Sequence, residues 1–138
     1  MKRPFKKTSL FWISGVISLM LGGMIYVFYR PNTYVFNFFR EILLPRQSFL
    51  FLDVPWIKYY FADYLWAYSL CCGLHLIFQP QRTGSFLLAG ITVLFGSTFE
   101  FLQYAGVLSG TGDLWDVLMF ILAGFTVNMI NLYYIRRE

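Results

Sequence analysis

The sequence predicts an all-α, polytopic membrane protein with four transmembrane helices and an interfacial segment between the first and the second. Three observations lead to this prediction. Hydrophobic residues make up 58% of the chain and charged residues only 13%, a balance far from that of an ordinary soluble domain. Four apolar stretches are long enough to cross about 30 Å of hydrocarbon. Most basic residues flank these stretches, where such residues orient helices in a membrane.

The first predicted helix covers residues 8–29, which carry no charge. It follows the basic segment MKRPFKK, and no short apolar core with an A-x-A-like cleavage site is present. We therefore predict a retained anchor instead of a signal peptide. Ser14, Ser18 and Gly22 recur every four residues and form a small-residue stripe that lets another helix approach closely.

Residues 30–53 are predicted to lie against the membrane surface. They contain the apolar runs YVFNFF and QSFLFL, each too short to span a bilayer. Charged residues, including Arg40 and Arg46, separate these runs. This mixture is typical of an interfacial segment.

Three further helices follow. The second is predicted over residues 55–78, and the turn QPQRT leads into the third, predicted over residues 84–108. SGTGD forms a tight break before the fourth helix, predicted over residues 114–135. With no internal repeat and no second domain, residues 1–138 are predicted to form a single four-helix domain.

Several residues are predicted to have structural roles. Cys71 and Cys72 are adjacent in an apolar run, which excludes a disulfide framework and fits no metal-ligand spacing, so both should be packing residues. His75 lies on the inner half of helix two and should be a hydrogen-bonded packing residue. The aromatic residues at the start of helix two are predicted to form an interfacial belt; they include Trp56, Tyr59 and Tyr60.

Basic residues predict the orientation of the helices. If four helices alternate across the membrane, most of the 11 basic residues fall on the side of the two termini; they are Lys2, Arg3, Lys6, Lys7, Arg82, Arg136 and Arg137. Both termini are therefore predicted to be cytoplasmic. This distribution also argues against nucleic-acid binding, because the net charge of +4 comes from residues at helix ends.

Acidic side chains from three helices are predicted to meet in the outer half of the bundle. At a rise of about 1.5 Å per residue, Asp63 lies about 9 to 12 Å deep on helix two and Glu100 about 12 Å deep on helix three. Asp116 lies in the first turn of helix four. An ionisable group at a helix centre disfavours insertion by roughly 2.5 to 3.5 kcal/mol, so these groups should face the bundle and not lipid.

Helical spacing adds two polar residues to this group. Glu100 and Gln103 are three residues apart and share a helix face, as do Asp113 and Asp116. The second face continues through Phe120, Gly124 and Asn128. Both faces are predicted to point into the bundle.

Each polar residue also has a structural interpretation. The two aspartates of the DxxD pattern can be the N-cap of helix four and its third-position partner. Glu100 and Gln103 can form hydrogen bonds between helices. Asp63 can pair with Lys58 or reach the interface.

The succession of ExxQ, a short Gly-rich loop and DxxD resembles the VanZ-like family of small bacterial membrane proteins. The matching positions are Glu100, Gln103, Gly110, Thr111, Gly112, Asp113 and Asp116. The segment FADYLW resembles an earlier acidic segment of the family, through Asp63, Leu65 and Trp66. The resemblance covers residues 56–128.

This resemblance implies a multi-pass protein of the bacterial inner membrane with a role in the cell envelope. Some members of the family are linked to resistance to teicoplanin-type glycopeptides, and no biochemical activity is settled for them. Phe120 stands where the family often has Asn or Tyr, and the glycine that comes after it is shifted to Gly124.

The leading functional hypothesis is a binding protein whose outward-facing pocket holds the polar head of an envelope amphiphile or a lipophilic glycopeptide. The pocket residues are Asp63, Glu100, Gln103, Asp113 and Asp116. Half-buried carboxylates attract ammonium and hydroxyl groups. The candidate contacts for anionic groups of the ligand are Arg40, Arg46 and Lys58.

Two other functional classes stay open. A membrane-embedded hydrolase or transferase acting on a lipid-linked substrate would use Glu100 as a general base, and the carboxylates could hold Mg²⁺ or Ca²⁺. No metal ligand is assigned, and no Ser/His/Asp or Cys/His set is apparent. A structural or assembly subunit would use the same acids to hold the bundle together or to bind another membrane protein.

Overall fold

A computed structural model describes residues 4–29, 56–109 and 111–136, and the regular structure in these residues is entirely helical. The helices are α1 (Pro4–Tyr29), α2 (Ala62–Phe78), α3 (Arg82–Tyr104) and α4 (Leu114–Ile135), and a π-helical turn (Ile57–Phe61) leads into α2. The all-helical prediction is thus confirmed. Each of the four is long and apolar enough to cross a membrane, counting the π-helical turn with α2. The predicted interfacial segment lies outside the described residues.

Local backbone conformation determines where the helices end. Gln79 closes α2 in a left-handed conformation with φ of 42°, and its N–H donates to the His75 carbonyl. α3 ends at Tyr104 and not at 108, because the next residues form turns in which Gly106 has φ of 71°. Glycine adopts such a positive φ without steric cost.

The helices pack as a group of three with α1 along one side. α2, α3 and α4 contact one another, least extensively between α2 and α3, and α1 packs mainly on α2. The small-residue stripe lies at this α1–α2 interface, so helix two is the partner that the sequence left unnamed. Gly22 faces the Trp66 indole, and the Tyr68 hydroxyl donates to Ser14 Oγ at 3.1 Å. Small residues here let the two helices approach closely.

The apolar core lies where α1, α2 and α4 meet. Phe11, Cys71, Cys72, Ala123 and Val127 are almost fully buried in one cluster. Both cysteines are free thiols inside this core, so their predicted packing role is confirmed. Many other large apolar side chains are exposed, and the outer surface of the bundle is strongly apolar.

A buried polar network lies beside this core, near the turn between α2 and α3. His75 Nδ1 donates to the Cys71 carbonyl at 2.9 Å, and His75 Nε2 lies 2.9 Å from Ser85 Oγ. Ser85 Oγ is 2.6 Å from Asn128 Oδ1. His75 is therefore the hydrogen-bonded packing residue that the sequence predicts. The Ser85–His75 pair is a contact that the sequence analysis missed, and both side chains are enclosed by the bundle.

Glycines bring α3 and α4 close together. Gly96 lies against the Phe120 ring, and a Cβ atom on Gly124 would lie 3.2 Å from the Ala89 carbonyl oxygen. Asn128, further along the same face of α4, is buried. The face of α4 that carries Phe120, Gly124 and Asn128 points into the bundle, as predicted.

Replacing Gly96 by Ala is expected to destabilise the protein by about 1–3 kcal/mol, because the new methyl group overlaps the Phe120 ring. Gly90→Ala is the matched control on the same helix, since no described residue comes within 4 Å of a Cβ atom there. The control should be neutral or more stable by up to about 1 kcal/mol. Thermal unfolding in detergent measures both, and equal melting temperatures for the two variants would contradict the close packing at Gly96.

Candidate functional site

The predicted polar residues gather at the end of the bundle where α2 and α4 begin and α3 ends. Glu100 is at the centre, and its Oε2 accepts a hydrogen bond of 3.0 Å from the backbone N–H of Asp113. Asp113 is the N-cap of α4, because its Oδ1 accepts from the Trp115 N–H at 2.9 Å. One carboxylate of α3 therefore holds the residue that starts α4.

Glu100 performs a role that the sequence interpretation gave to Asp116. In a capping box, the third-position side chain accepts a hydrogen bond from the backbone N–H of the N-cap. Here Glu100 accepts that bond from a neighbouring helix. The N-cap interpretation of Asp113 is confirmed, and the same residue also takes part in the contact between α3 and α4.

Gly112 makes this contact possible. A Cβ atom at this position would lie 2.6 Å from the Glu100 carbonyl oxygen and 2.7 Å from the Tyr104 nitrogen. Both of these are backbone atoms and cannot rotate away. The glycine between ExxQ and DxxD thus allows the loop to lie directly on the end of α3, which brings Asp113 within reach of Glu100.

Tyr60 is a site residue that the sequence analysis assigned to an aromatic belt. Its hydroxyl donates to Asp113 Oδ2 at 3.3 Å. Its ring packs against Trp115, with 6.3 Å between the ring centroids. The sequence does contain a signal for this role of Tyr60. Tyr60 comes three residues before Asp63, a predicted pocket residue, and residues three apart share a helix face.

Two cavities meet at Glu100. The first has a volume of about 690 Å³ and lies between the end of α3 and the start of α4. Its polar lining comes from Ser97, Glu100, Tyr104 and Asp113. Trp115 and three other apolar side chains complete the walls.

The second cavity, with a volume of about 340 Å³, lies between α2 and α3. Asp63, Glu100 and Gln103 line its polar end. Phe120 of α4 borders it, and its other large apolar side chains are Trp66, Leu70, Phe95 and Phe99. Polar and apolar groups are thus separated along its length.

The structure brings four of the five predicted pocket residues to the cavities. Asp63, Glu100 and Gln103 share the second cavity, and Glu100 and Asp113 share the first. Asp116 lines neither cavity, and its Oδ1 atom is fully buried. Among the predicted anion contacts, Arg40 and Arg46 lie outside the described residues. Lys58 lies in the π-helical turn, but its side chain is not described.

The chemistry of the site favours ligands that donate hydrogen bonds. An ionised carboxylate only accepts hydrogen bonds, and an amide both donates and accepts. Among the residues that the structure describes, no Lys or Arg lines either cavity. In the same part of the chain, no three His, Cys, Asp or Glu side chains come together as a metal site requires. Ammonium, hydroxyl and amide groups of a ligand match the acceptors of the cavities.

Comparison of the chain with known protein families, with curated proteins and with solved structures finds no match. The resemblance to the VanZ-like family therefore stays a prediction from the sequence. The geometry around Glu100 is the main evidence on function.

Replacing Asp113 by Ala is expected to lower stability by about 1 kcal/mol, because α4 loses its N-cap. Asp113→Asn should unfold close to the wild-type temperature, since asparagine also caps helices well. Thermal unfolding of the three proteins side by side makes this comparison. A loss in Asp113→Asn as large as in Asp113→Ala would show that the negative charge, and not the cap, stabilises the start of α4.

Proposed function

We propose that this chain is a VanZ-like, multi-pass protein of the bacterial inner membrane that binds the polar head of an envelope amphiphile. The carboxylates around Glu100 form the binding site. The resemblance also implies a role in glycopeptide resistance. Such a role would follow if the ligand is a lipophilic glycopeptide, or an envelope component on which such an antibiotic acts.

The apolar outer surface of the bundle supports the membrane assignment. All four helices expose large apolar side chains, among them Trp12 at 61%, Ile77 at 74%, Leu94 at 69% and Phe125 at 59%. Soluble monomeric proteins rarely expose apolar patches larger than a few hundred Å². Lipid tails are the natural partner of such a surface.

The positions of basic residues support an outward-facing site. α3 begins at Arg82 and α4 is followed by Arg136, both at the end of the bundle opposite to Glu100. Lys7, near the start of α1, lies at that same end, because Phe11 contacts His75. An excess of basic residues marks the cytoplasmic side, so this distribution supports cytoplasmic termini and an acidic end that faces outward.

The observation that carries the binding proposal is the position of Glu100 between two cavities. Its carboxylate lines both of them while it accepts the Asp113 N–H. A carboxyl group in a membrane helix is costly and is retained where it has a partner or a function. Holding Asp113 satisfies one oxygen of Glu100, and the cavities give a ligand access to the same side chain.

A structural subunit is the second candidate, and one observation favours it. Glu100 and Tyr60 both bond to Asp113, so these side chains connect α3, α4 and the start of the α2 segment without any ligand. In that case, loss of the Glu100 carboxylate would affect stability more than binding.

Native mass spectrometry of the protein purified in mild detergent distinguishes the two candidates. We expect wild-type protein to carry a defined amphiphile that is largely lost in Glu100→Gln. The melting temperature should change little, because glutamine keeps a side-chain oxygen for the Asp113 N–H. Glu138→Gln, the same change at the last residue of the chain, should keep the amphiphile.

The opposite pattern would contradict binding. If wild-type protein carries no amphiphile and Glu100→Gln melts at a much lower temperature, the carboxylate has a structural role. Wild-type occupancy in Glu100→Gln would also contradict the proposed site.

A further inference from the structure

We infer that the second cavity is a groove for the hydrocarbon chain of the bound amphiphile, which enters sideways between α2 and α3, and that the headgroup carries a protonated primary amine. This inference rests on the proposed function and makes it more specific. It assigns the two parts of the ligand to the two ends of one cavity.

The length of the cavity matches the hydrocarbon chain of one membrane leaflet. Gln103 lies at its polar end and Thr92 at its apolar end, both on α3. At a rise of about 1.5 Å per residue, these residues are roughly 16 Å apart along the helix. Half of a hydrocarbon core of about 30 Å is nearly the same length. Because α3 ends at Tyr104, Glu100 lies about 6 Å from the outer end of the helix and not at the predicted depth of about 12 Å. A lipid of the outer leaflet can therefore lie beside α3 with its head between Gln103 and Glu100 and its chain along the groove toward Thr92.

The walls are suited to an apolar chain. Thr92 donates its hydroxyl proton to the Leu88 carbonyl at 3.1 Å, which satisfies that donor within the helix. Phe120, packed on Gly96, borders the cavity from α4. Within the described part of the chain, Asp63 and Glu100 are the only charged side chains that line the cavity.

The groove opens on the side of the bundle. Trp66 and Leu70 on α2 and Phe95 and Phe99 on α3 line the cavity, and all four are exposed. α2 and α3 also contact each other less extensively than either contacts α4. A chain can therefore reach the groove directly from the surrounding lipid, without passing through water.

The polar end selects the headgroup. Asp63 and Glu100 offer carboxylate oxygens, and Gln103 adds an amide. A primary ammonium group has three donors and no acceptor, so it complements this set in both charge and hydrogen bonding. A quaternary ammonium group carries the charge without the donors. An anionic headgroup without an amine would meet carboxylates and, among the described lining residues, no Lys or Arg.

Trp66 provides a fluorescent reporter at the groove, because it lines the second cavity while its indole also packs on Gly22 of α1. Trp12→Phe, Trp56→Phe and Trp115→Phe leave Trp66 as the only tryptophan. Because Trp115 lines the first cavity, native mass spectrometry first checks that this background still carries the amphiphile. The full chain is placed in phosphatidylcholine bilayers that contain a small fraction of lipid with brominated chains, which quench tryptophan on contact. Three brominated lipids with the same chains are compared: phosphatidylethanolamine, phosphatidylcholine and phosphatidylglycerol.

We expect saturable quenching by the ethanolamine lipid, with half-saturation at a mole fraction about tenfold lower than for the other two lipids. A tenfold difference corresponds to about 1.4 kcal/mol, roughly one charge-assisted hydrogen bond. In the same single-tryptophan background, Leu70→Phe should remove the saturable component by filling the groove. Leu94→Phe, the same change at an exposed residue of α3 that lines neither cavity, should retain it.

The outcomes separate the groove, the headgroup preference and the binding function. Equal saturable quenching in Leu70→Phe and Leu94→Phe, with the ethanolamine preference kept in both, would overturn the groove and leave the headgroup site standing. Equal quenching by all three lipids would overturn the amine headgroup. Failure of the proposed function itself would be seen in native mass spectrometry, as wild-type protein without any bound amphiphile.

Discussion

The hydrogen bond between the Glu100 carboxylate and the Asp113 backbone N–H is the contact on which the rest of the site depends. A helix starts with four N–H groups that lack intrahelical partners and with a partial positive charge. The partly buried Glu100 carboxylate has a favourable partner at such a start, so it needs no basic residue beside it for this hydrogen bond. This explains how such an apolar chain keeps a glutamate in its third helix. The start of the fourth helix stabilises the Glu100 carboxylate, and the same side chain also lines two cavities.

Glycine positions determine where the helices touch and where they separate. Gly96 and Gly124 let α3 and α4 approach closely, Gly22 does the same for α1 and α2, and Gly112 brings the loop onto the end of α3. Between α2 and α3, large side chains such as Trp66 and Phe99 line an open groove instead. The structure thus packs α3 closely on α4 and α1 closely on α2, and leaves this groove between α2 and α3.

The sequence predicted the helices, and it predicted that Asp63, Glu100 and Gln103 lie close together. Both predictions rest on local properties, namely the length of each apolar stretch and the position of each polar residue along its helix. It did not predict the partner of Glu100, since that contact depends on how closely the loop at Gly112 approaches α3. Tyr60 was assigned to the interface because a tyrosine near a helix start fits both roles. Ser85 and His75 meet across a turn, which no periodic pattern reveals. The end of α3 was placed too late because Gly106 permits a turn inside an apolar run.

Amide hydrogen exchange at Asp113, followed by NMR in detergent micelles, tests the central contact most directly. This N–H precedes the first turn of α4 and has no partner within that helix, and among the described residues its hydrogen-bond acceptor is Glu100, which should protect it from exchange. We predict slow exchange in wild-type protein, and exchange close to that of an exposed loop amide in Glu100→Ala. Fast exchange in wild-type protein, or equal protection in Glu100→Ala, would contradict a site built on the bond between Glu100 and the start of α4.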